Sequence, residues 1–150
     1  MNKIYIEKAH IDNLTLISNF TIMYEKQLEI LNEITENLRK KKYDKKNTLK
    51  MLKYLIEESN YEKIRMVSIE LMRKLNTKSY SIFNILESCL LSDESPRVRA
   101  LSAKYLLLDY QNRCEKSIKW VIKHDTSPYV LKTIKDFSFG LDGHKLEFLT

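Results

Sequence analysis

The first 139 residues of this 150-residue chain contain no glycine, since its two glycines are Gly140 and Gly143. Phosphate-binding loops, dinucleotide-binding fingerprints and nucleophile elbows all need glycine where the backbone turns sharply or approaches a ligand. All-β sandwiches and barrels also use many turn glycines. The sequence therefore excludes these nucleotide-binding, hydrolase and all-β classes, and it predicts an all-α fold.

Composition and cysteine usage place the chain among soluble globular proteins. It is 43% hydrophobic and 31% charged, which suits one domain with a buried core. The longest aliphatic run, Leu106–Leu108, is far shorter than the roughly 20 residues of a membrane span, and the first eight residues lack the apolar core of a secretory signal. Cys89 and Cys114 have no CxxC spacing, so we expect free thiols, with Cys89 buried as a small apolar side chain. We therefore expect a cytoplasmic protein that is not associated with a membrane.

The formal net charge of +6 is concentrated in residues 39–53, and the remainder of the chain is close to neutral. The basic residues of this stretch, called the basic segment below, are Arg39, Lys40, Lys41, Lys42, Lys45, Lys46, Lys50 and Lys53. One interpretation is a solvated helix end, because cations favour a helix C-terminus. The other is a patch that contacts phosphate or an acidic protein surface.

Apolar residues recur at three- and four-residue steps along most of the chain, which is the period of an amphipathic helix. Asp12–Asn13 resembles an N-cap, and the pattern from Thr21 onward predicts a long helix that ends near Tyr43. Apolar stripes separated by short polar breaks follow, at 51–56, 64–75, 85–90, 98–106, 118–122 and 130–137. They predict six helices in three antiparallel pairs over residues 45–139, with breaks near 59–61, 92–95 and 125–127.

These helices recur at a nearly fixed period. Asp93 and Asp125 are 32 residues apart, as are Pro96 and Pro128, and Arg65 lies 34 residues before Arg99. Periods in this range, with two amphipathic helices in each unit, are typical of a stacked α-solenoid. At each break, Asp and Ser side chains can accept from the N–H groups that open the second helix, and proline is tolerated in its first turn.

The string from Asp93 to Ala103, DESPRVRALSA, resembles the turn and second helix of a HEAT repeat. The resemblance implies an α-α superhelix of about three helical hairpins over residues 45–139, with residues 1–44 as an N-terminal helical cap and 140–150 as a C-terminal tail. It also implies that Asp93 and Arg99 belong to a structural polar ladder along the stack, and that Val98 lies in the core.

The other two units depart from this pattern. The first keeps Arg65 but has Ser59 in place of the aspartate, and the third keeps Asp125 but has Leu131 in place of the arginine. We therefore expect an incomplete ladder in which Arg65 contributes less to stability than Arg99.

Residues that could carry chemistry do not form a recognisable constellation. His10, His124 and His144 lack the spacing of paired metal ligands, and adjacent carboxylates such as Glu57–Glu58 lie where capping or solvation explains them. Asp142–His144 is typical of a turn, and we expect Trp120 to pack among its apolar neighbours. The sequence thus predicts a protein that is not an enzyme and that uses no metal or cofactor.

In HEAT-like stacks the second helices line the concave face, so their outward residues should align between repeats. The repeat offsets align Lys63 with Arg97 and Tyr129, Met66 with Ala100 and Lys132, Glu70 with Lys104 and Asp136, and Arg73 with Leu107. The candidate partner-binding residues on this face are Lys63, Arg97, Tyr129, Lys104, Lys132 and Arg73.

The function that this architecture favours is a non-enzymatic adaptor or scaffold that binds a protein or peptide through the concave face, which is an argument by analogy. The alternative is a nucleic-acid-binding protein that uses the basic segment and the concave Lys and Arg residues. The HEAT-like alkylpurine DNA glycosylases are similar in architecture and basic character, but they are longer and their catalytic residues have no match here. A third possibility is a helper subunit that stabilises one larger partner.

Overall fold

The computed structural model describes residues 21, 23–76 and 78–138, and every regular element among them is an α-helix, which confirms the all-α class. The helices are α1 (residues 23–39), α2 (Lys45–Glu58), α3 (Glu62–Lys74), α4 (Tyr80–Ser92), α5 (Pro96–Asp109), α6 (Gln111–His124) and α7 (Pro128–Phe137). The breaks at 59–61, 93–95 and 125–127 coincide with the predicted ones. The expected N-cap at Asp12–Asn13 and the tail at 140–150 lie outside the described residues.

The chain divides into two compact units, residues 1–43 and 44–150. In the first unit, α1 ends at residue 39 rather than near Tyr43 as the sequence predicted. Lys41 has a φ of 55°, its N–H donates to Leu38 O at 3.1 Å, and the Lys42 N–H donates to Asn37 O at 2.9 Å. This pair of bonds is a Schellman motif, which closes a helix by turning one residue into the left-handed region. The helical period in the sequence does not reveal such a stop, because no glycine marks it.

Polar side chains begin several helices of the second unit. Asp44 accepts from the Asn47 N–H at 2.7 Å, Ser79 accepts from the Ile82 N–H at 3.2 Å, and Ser95 accepts from the first turn of α5. Each bond satisfies an N–H that has no partner inside the helix.

The turn aspartates Asp93 and Asp125 bond within the turn and do not cap the helix that follows it. Asp93 Oδ1 accepts from the Ser95 N–H at 2.8 Å, and Asp125 Oδ1 accepts from the Ser127 N–H at 2.8 Å. These bonds close the turn before the helix begins, as Asx turns do. The expectation that the aspartates cap the second helices was therefore wrong, and Ser127 makes no side-chain cap bond.

The helices of the second unit pack in two sets. The second helices α3, α5 and α7 lie side by side, with α5 between the other two, and the first helices α4 and α6 also contact each other. Each first helix packs against the second helix of its own pair. The core between the sets contains fully buried side chains such as Leu52, Ile64, Val98, Leu106 and Ile118. Over the described residues, none of the helices combines the length and apolar character that a membrane crossing needs.

Two residues of the predicted apolar stripes lie outside this core. Met51 is 41% exposed and Ile122 is 42% exposed. The equivalent positions of α4, Ile85 for Met51 and Leu90 for Ile122, are only 6% and 1% exposed. Among the described helices of this unit, α2 has no first helix before it and α6 has none after it.

Candidate functional site

The second helices α3, α5 and α7 present the candidate partner-binding surface. Lys63, Arg97 and Tyr129 are each the second residue of their helix, and all three are exposed. Because these helices lie side by side, the three residues follow one another at the same end of the layer. The structure thus brings together the first predicted row.

The other predicted rows are partly wrong. Ala100 and Leu107, which the repeat offsets placed on the outer face, are 2% and 0% exposed. They lie on the flanks of α5, and α5 is covered on both flanks because it packs between α3 and α7. Only the stripe of α5 that faces away from the first helices reaches the surface.

The row that the structure places at the centre of this face is Val67, Leu101 and Thr133, which are all half-buried. These residues are 34 and 32 residues apart, as the other equivalent positions are. The row lies between the charged row of Lys63 and Arg97 and the mixed row of Glu70, Lys104 and Asp136. The predicted rows did not include these residues, although a four-residue step along the helix from Lys63 and from Arg97 leads to Val67 and Leu101. This second-helix face, defined by the three rows, has a partly apolar centre with polar edges.

Several cations of the face already have partners. Arg97 Nη1 lies 3.2 Å from Glu62 Oε1, and Lys132 Nζ lies 2.6 Å from Asp136 Oδ2. Lys104 Nζ lies over the ring of Phe137, 5.1 Å from its centroid. Among the described residues, none makes an ion pair with Lys63. Lys63 is therefore a cation of this face that remains available to an acidic partner.

Arg73 contacts two residues of α5 at the far end of the layer. Its Nε donates to Asp109 Oδ2 at 2.8 Å, and its guanidinium carbon lies 4.7 Å from the centroid of the Tyr105 ring. The hydrogen bond to Asp109 raises the pKa of Arg73, and burial raises the pKa of the Tyr105 hydroxyl. These three residues line a cavity of about 580 Å³, whose lining also includes the apolar residues Ile69 and Leu86. Arg73 thus joins α3 to α5 rather than standing free.

The polar ladder joins consecutive helix pairs. Arg65 pairs with Asp93 of the following turn, and Arg99 pairs with Asp125 of the next, each with an Nε···Oδ2 distance of 2.8 Å. Each arginine also donates from Nη1 to a carbonyl of its own turn, at 2.9 Å to Ser59 O and at 2.9 Å to Asp93 O respectively. The arginine therefore uses the backbone of its own turn and the acid of the next one.

This geometry removes the reason for expecting Arg65 to contribute less to stability than Arg99. Ser59 does not deprive Arg65 of an acid, because the acid comes from the following repeat and Ser59 contributes its carbonyl. Burial disfavours the charged guanidinium, but the bonds to Asp93 outweigh it and raise the pKa of Arg65. In the third unit Leu131 supplies no cation, so the ladder ends at Asp125.

A second polar contact links α3 with the next turn. The Ser95 hydroxyl donates to Glu62 Oε2 while the same oxygen accepts from the N–H groups of Arg97 and Val98. The Ser95 hydrogen bond is the main cause that lowers the pKa of Glu62. These polar groups therefore have a structural role.

The basic segment is divided between the two units, with Arg39–Lys42 in the first and the four lysines of α2 in the second. Arg39 and Lys40 both pair with Glu36, at 2.7 Å and 3.0 Å, and Lys53 Nζ lies 3.7 Å from Glu57 Oε1. The members without an ion pair among the described residues are Lys41, Lys42, Lys45, Lys46 and Lys50, and all are exposed.

Trp120 does not pack as expected. It is 49% exposed on the outer side of α6, and its ring stacks on His124 with centroids 4.4 Å apart. The apolar neighbours Ile118 and Val121 face the core instead. The sequence could have predicted this exposure, because helical spacing places Trp120 on the same polar side of α6 as Lys116 and Lys123.

The remaining candidates for chemistry are buried or isolated. Burial raises the pKa of Cys89 to about 12 and that of Cys114 to about 11, and both are free thiols. Within residues 23–76 and 78–138, no group of three or more His, Cys, Asp or Glu side chains is placed to hold a metal ion. His10, His144 and the Asp142–His144 turn lie outside the described residues.

Comparison with protein-family models, with curated proteins and with solved structures found no match to this chain.

Proposed function

We propose that this chain is a non-enzymatic, cytoplasmic adaptor with a HEAT-like α-solenoid, and that it binds a protein or peptide partner across the second-helix face. The side-by-side packing of α3, α5 and α7 and the ladder between consecutive turns support the solenoid. In such a stack each repeat contributes one equivalent position to every row of an extended surface.

The observation that carries the proposal is the composition of the three rows. Val67, Leu101 and Thr133 provide a half-buried central row, and Lys63 and Arg97 stand exposed beside it. Binding surfaces commonly combine a central apolar strip, whose burial provides affinity, with a polar rim that provides orientation. The unpaired Lys63 and the exposed Tyr129 suit a partner segment with acidic and apolar side chains.

The test begins with affinity capture from native cell extract, followed by identification and purification of the captured partner. Its affinity is then measured for the unaltered chain and for Lys63→Glu/Arg97→Glu. We expect this variant to weaken binding by about tenfold or more, because it reverses two charges beside the central row. A melting curve establishes that the variant is folded.

The control is charge reversal of the basic segment at Lys41, Lys42, Lys45 and Lys46. On the proposal this variant keeps its protein partner, whereas the nucleic-acid alternative requires it to lose most of its affinity for DNA or RNA and most of the salt dependence of binding. If reversal at Lys63 and Arg97 has no effect while the quadruple variant loses the captured partner, the second-helix face is not the binding surface.

A further inference from the structure

The opposite side of the second unit carries a basic and aromatic stripe on α6. Arg113, Lys116, Trp120 and Lys123 are spaced by three, four and three residues, and all four are exposed. This spacing places them along one side of the helix. We call these four residues the α6 stripe.

The cations of the stripe are not neutralised by their surroundings. Glu115 pairs with Lys119 at 2.6 Å, and among the described residues no carboxylate forms an ion pair with Arg113, Lys116 or Lys123. Three positive charges therefore flank the exposed indole. Lys116 lies about one helical turn before Trp120, and Lys123 lies about one turn after it. Such a surface attracts a ligand with regularly spaced negative charges.

The indole of Trp120 stacks on the imidazole of His124, one helical turn later. His124 stacks on it with an interplanar angle of 22°, and His124 Nδ1–H donates to the Trp120 carbonyl at 2.8 Å. Half of the Trp120 surface nevertheless remains exposed. The indole is therefore stacked on His124 and still exposes a surface that a base could contact.

The equivalent positions of α2 repeat the pattern. Lys50 lies 66 residues before Lys116, and Tyr54 lies 66 residues before Trp120. Tyr54 is 62% exposed. An exposed lysine therefore precedes an exposed aromatic residue by one turn in both helices. The intervening helix α4 has Asn84 and Ser88 at these positions, which place no charge there.

We propose that the α6 stripe, extended by Lys50 and Tyr54, binds single-stranded nucleic acid. Phosphates contact the lysines and Arg113, and a base stacks on the exposed face of Trp120. Alternating cations and aromatic rings are what sequence-tolerant single-strand binding needs, because every base offers a π-face beside a charged backbone. An acidic peptide would neutralise the lysines but has no need of the exposed indole. A duplex keeps its bases stacked and cannot use it.

This surface is separate from the second-helix face, so either proposal can fail without the other. Trp120 is the only tryptophan in the chain, and its fluorescence reports this site directly. The experiment titrates the full chain with oligodeoxythymidylate of about 16 nucleotides, a length within the range bound by single-strand-binding domains. We expect saturable quenching and an affinity that weakens with salt. A plot of the logarithm of affinity against the logarithm of salt concentration should have a slope of about −3, because four cations contact phosphates.

Variants then test the residues by anisotropy of a labelled oligonucleotide. Lys116→Glu/Lys123→Glu and Trp120→Ala should each weaken binding by about tenfold or more, and Trp120→Phe should retain most of it. The matched control is Lys63→Glu/Lys132→Glu, which makes the same change in net charge on the second-helix face and should leave binding nearly unchanged. Circular dichroism checks that each variant is folded.

Three outcomes would overturn the proposal. One is the absence of quenching by the oligonucleotide. Another is equal loss of affinity in the α6 variant and in the matched control, which would mean that net charge alone drives binding. The third is quenching by polyglutamate, by vesicles containing anionic lipid or by duplex DNA at concentrations as low as those of the single strand.

Discussion

Arg65 and Asp93 join two consecutive helix pairs through paired hydrogen bonds, from Nε to Oδ2 at 2.8 Å and from Nη2 to Oδ1 at 2.9 Å. Their side chains are only 7% and 9% exposed. The third nitrogen, Nη1, donates to Ser59 O at 2.9 Å. Every nitrogen of the guanidinium is therefore bonded. Removal of the guanidinium would leave Asp93 with only the Ser95 N–H as a donor and would leave its negative charge without a cation at 2.8 Å.

We predict that Arg65→Ala lowers the free energy of unfolding by about 3 kcal/mol, because breaking a buried pair leaves an uncompensated charge. Arg99→Ala should cost less, about 2 kcal/mol, because the Arg99 side chain is 19% exposed and water can reach its partners. Urea unfolding of both variants measures the difference. Arg65→Lys serves as the control that keeps the charge but loses the paired geometry. A larger loss in Arg99→Ala than in Arg65→Ala would contradict this order.

We predict that part of the stability depends on the ionisation of Asp125. Burial opposes its charge, but the hydrogen bonds from Arg99 and from the Ser127 N–H outweigh burial, and the pKa of Asp125 is lowered. Since the folded pKa lies below the unfolded one, this stabilisation is present above about pH 4 and is lost as the pH falls through the folded pKa. Thermal melts from pH 6 down to about pH 2 should show the loss. Asp125→Asn should be less stable at pH 6 and should show a smaller decrease in the acid range; an unchanged decrease would refute the assignment.

We predict that neither thiol reacts in the folded protein near pH 8. Cys89 and Cys114 are 7% and 0% exposed, and burial raises their pKa values to about 12 and about 11. The reactive thiolate is therefore scarce and inaccessible at this pH. A chromogenic disulfide reagent should label both cysteines in denaturant and label them in buffer only at the rate of unfolding. Rapid labelling of either thiol without denaturant would contradict the structure.

We predict that two substitutions at Asn76 differ in their effect on stability. This residue follows α3 with a φ of 49°, and its N–H donates to Arg73 O at 3.1 Å. Asn76→Ala should be less stable than Asn76→Gly by about 1 kcal/mol, since a Cβ is disfavoured in the left-handed region. Denaturant unfolding compares the two proteins with the unaltered chain. Equal stability of the two variants would contradict the left-handed assignment.

The predicted helix breaks agree with the structure because they depend on local chemistry. Pro96 and Pro128 begin α5 and α7, where the missing N–H costs nothing. The end of α1 was predicted less accurately, because the stop there is a lysine in the left-handed region rather than a glycine. The residues of the ladder were predicted, but the sequence did not show that each arginine pairs with the aspartate of the following turn. A single repeat cannot show that Arg65 reaches the acid of the following one.

The sequence by itself determined the all-α class, the helix breaks of the second unit and the burial of residues such as Val98 and Cys89, since these follow from periodicity, turn chemistry and the phase of each helix. The tertiary structure alone decided which outward positions remain at the surface. Ala100 and Leu107 are buried because α5 has a neighbour on each flank, while Ile122 is exposed because no described first helix follows α6. Exposure depends on residues about one repeat away in the chain, and the phase of a single helix does not contain that information.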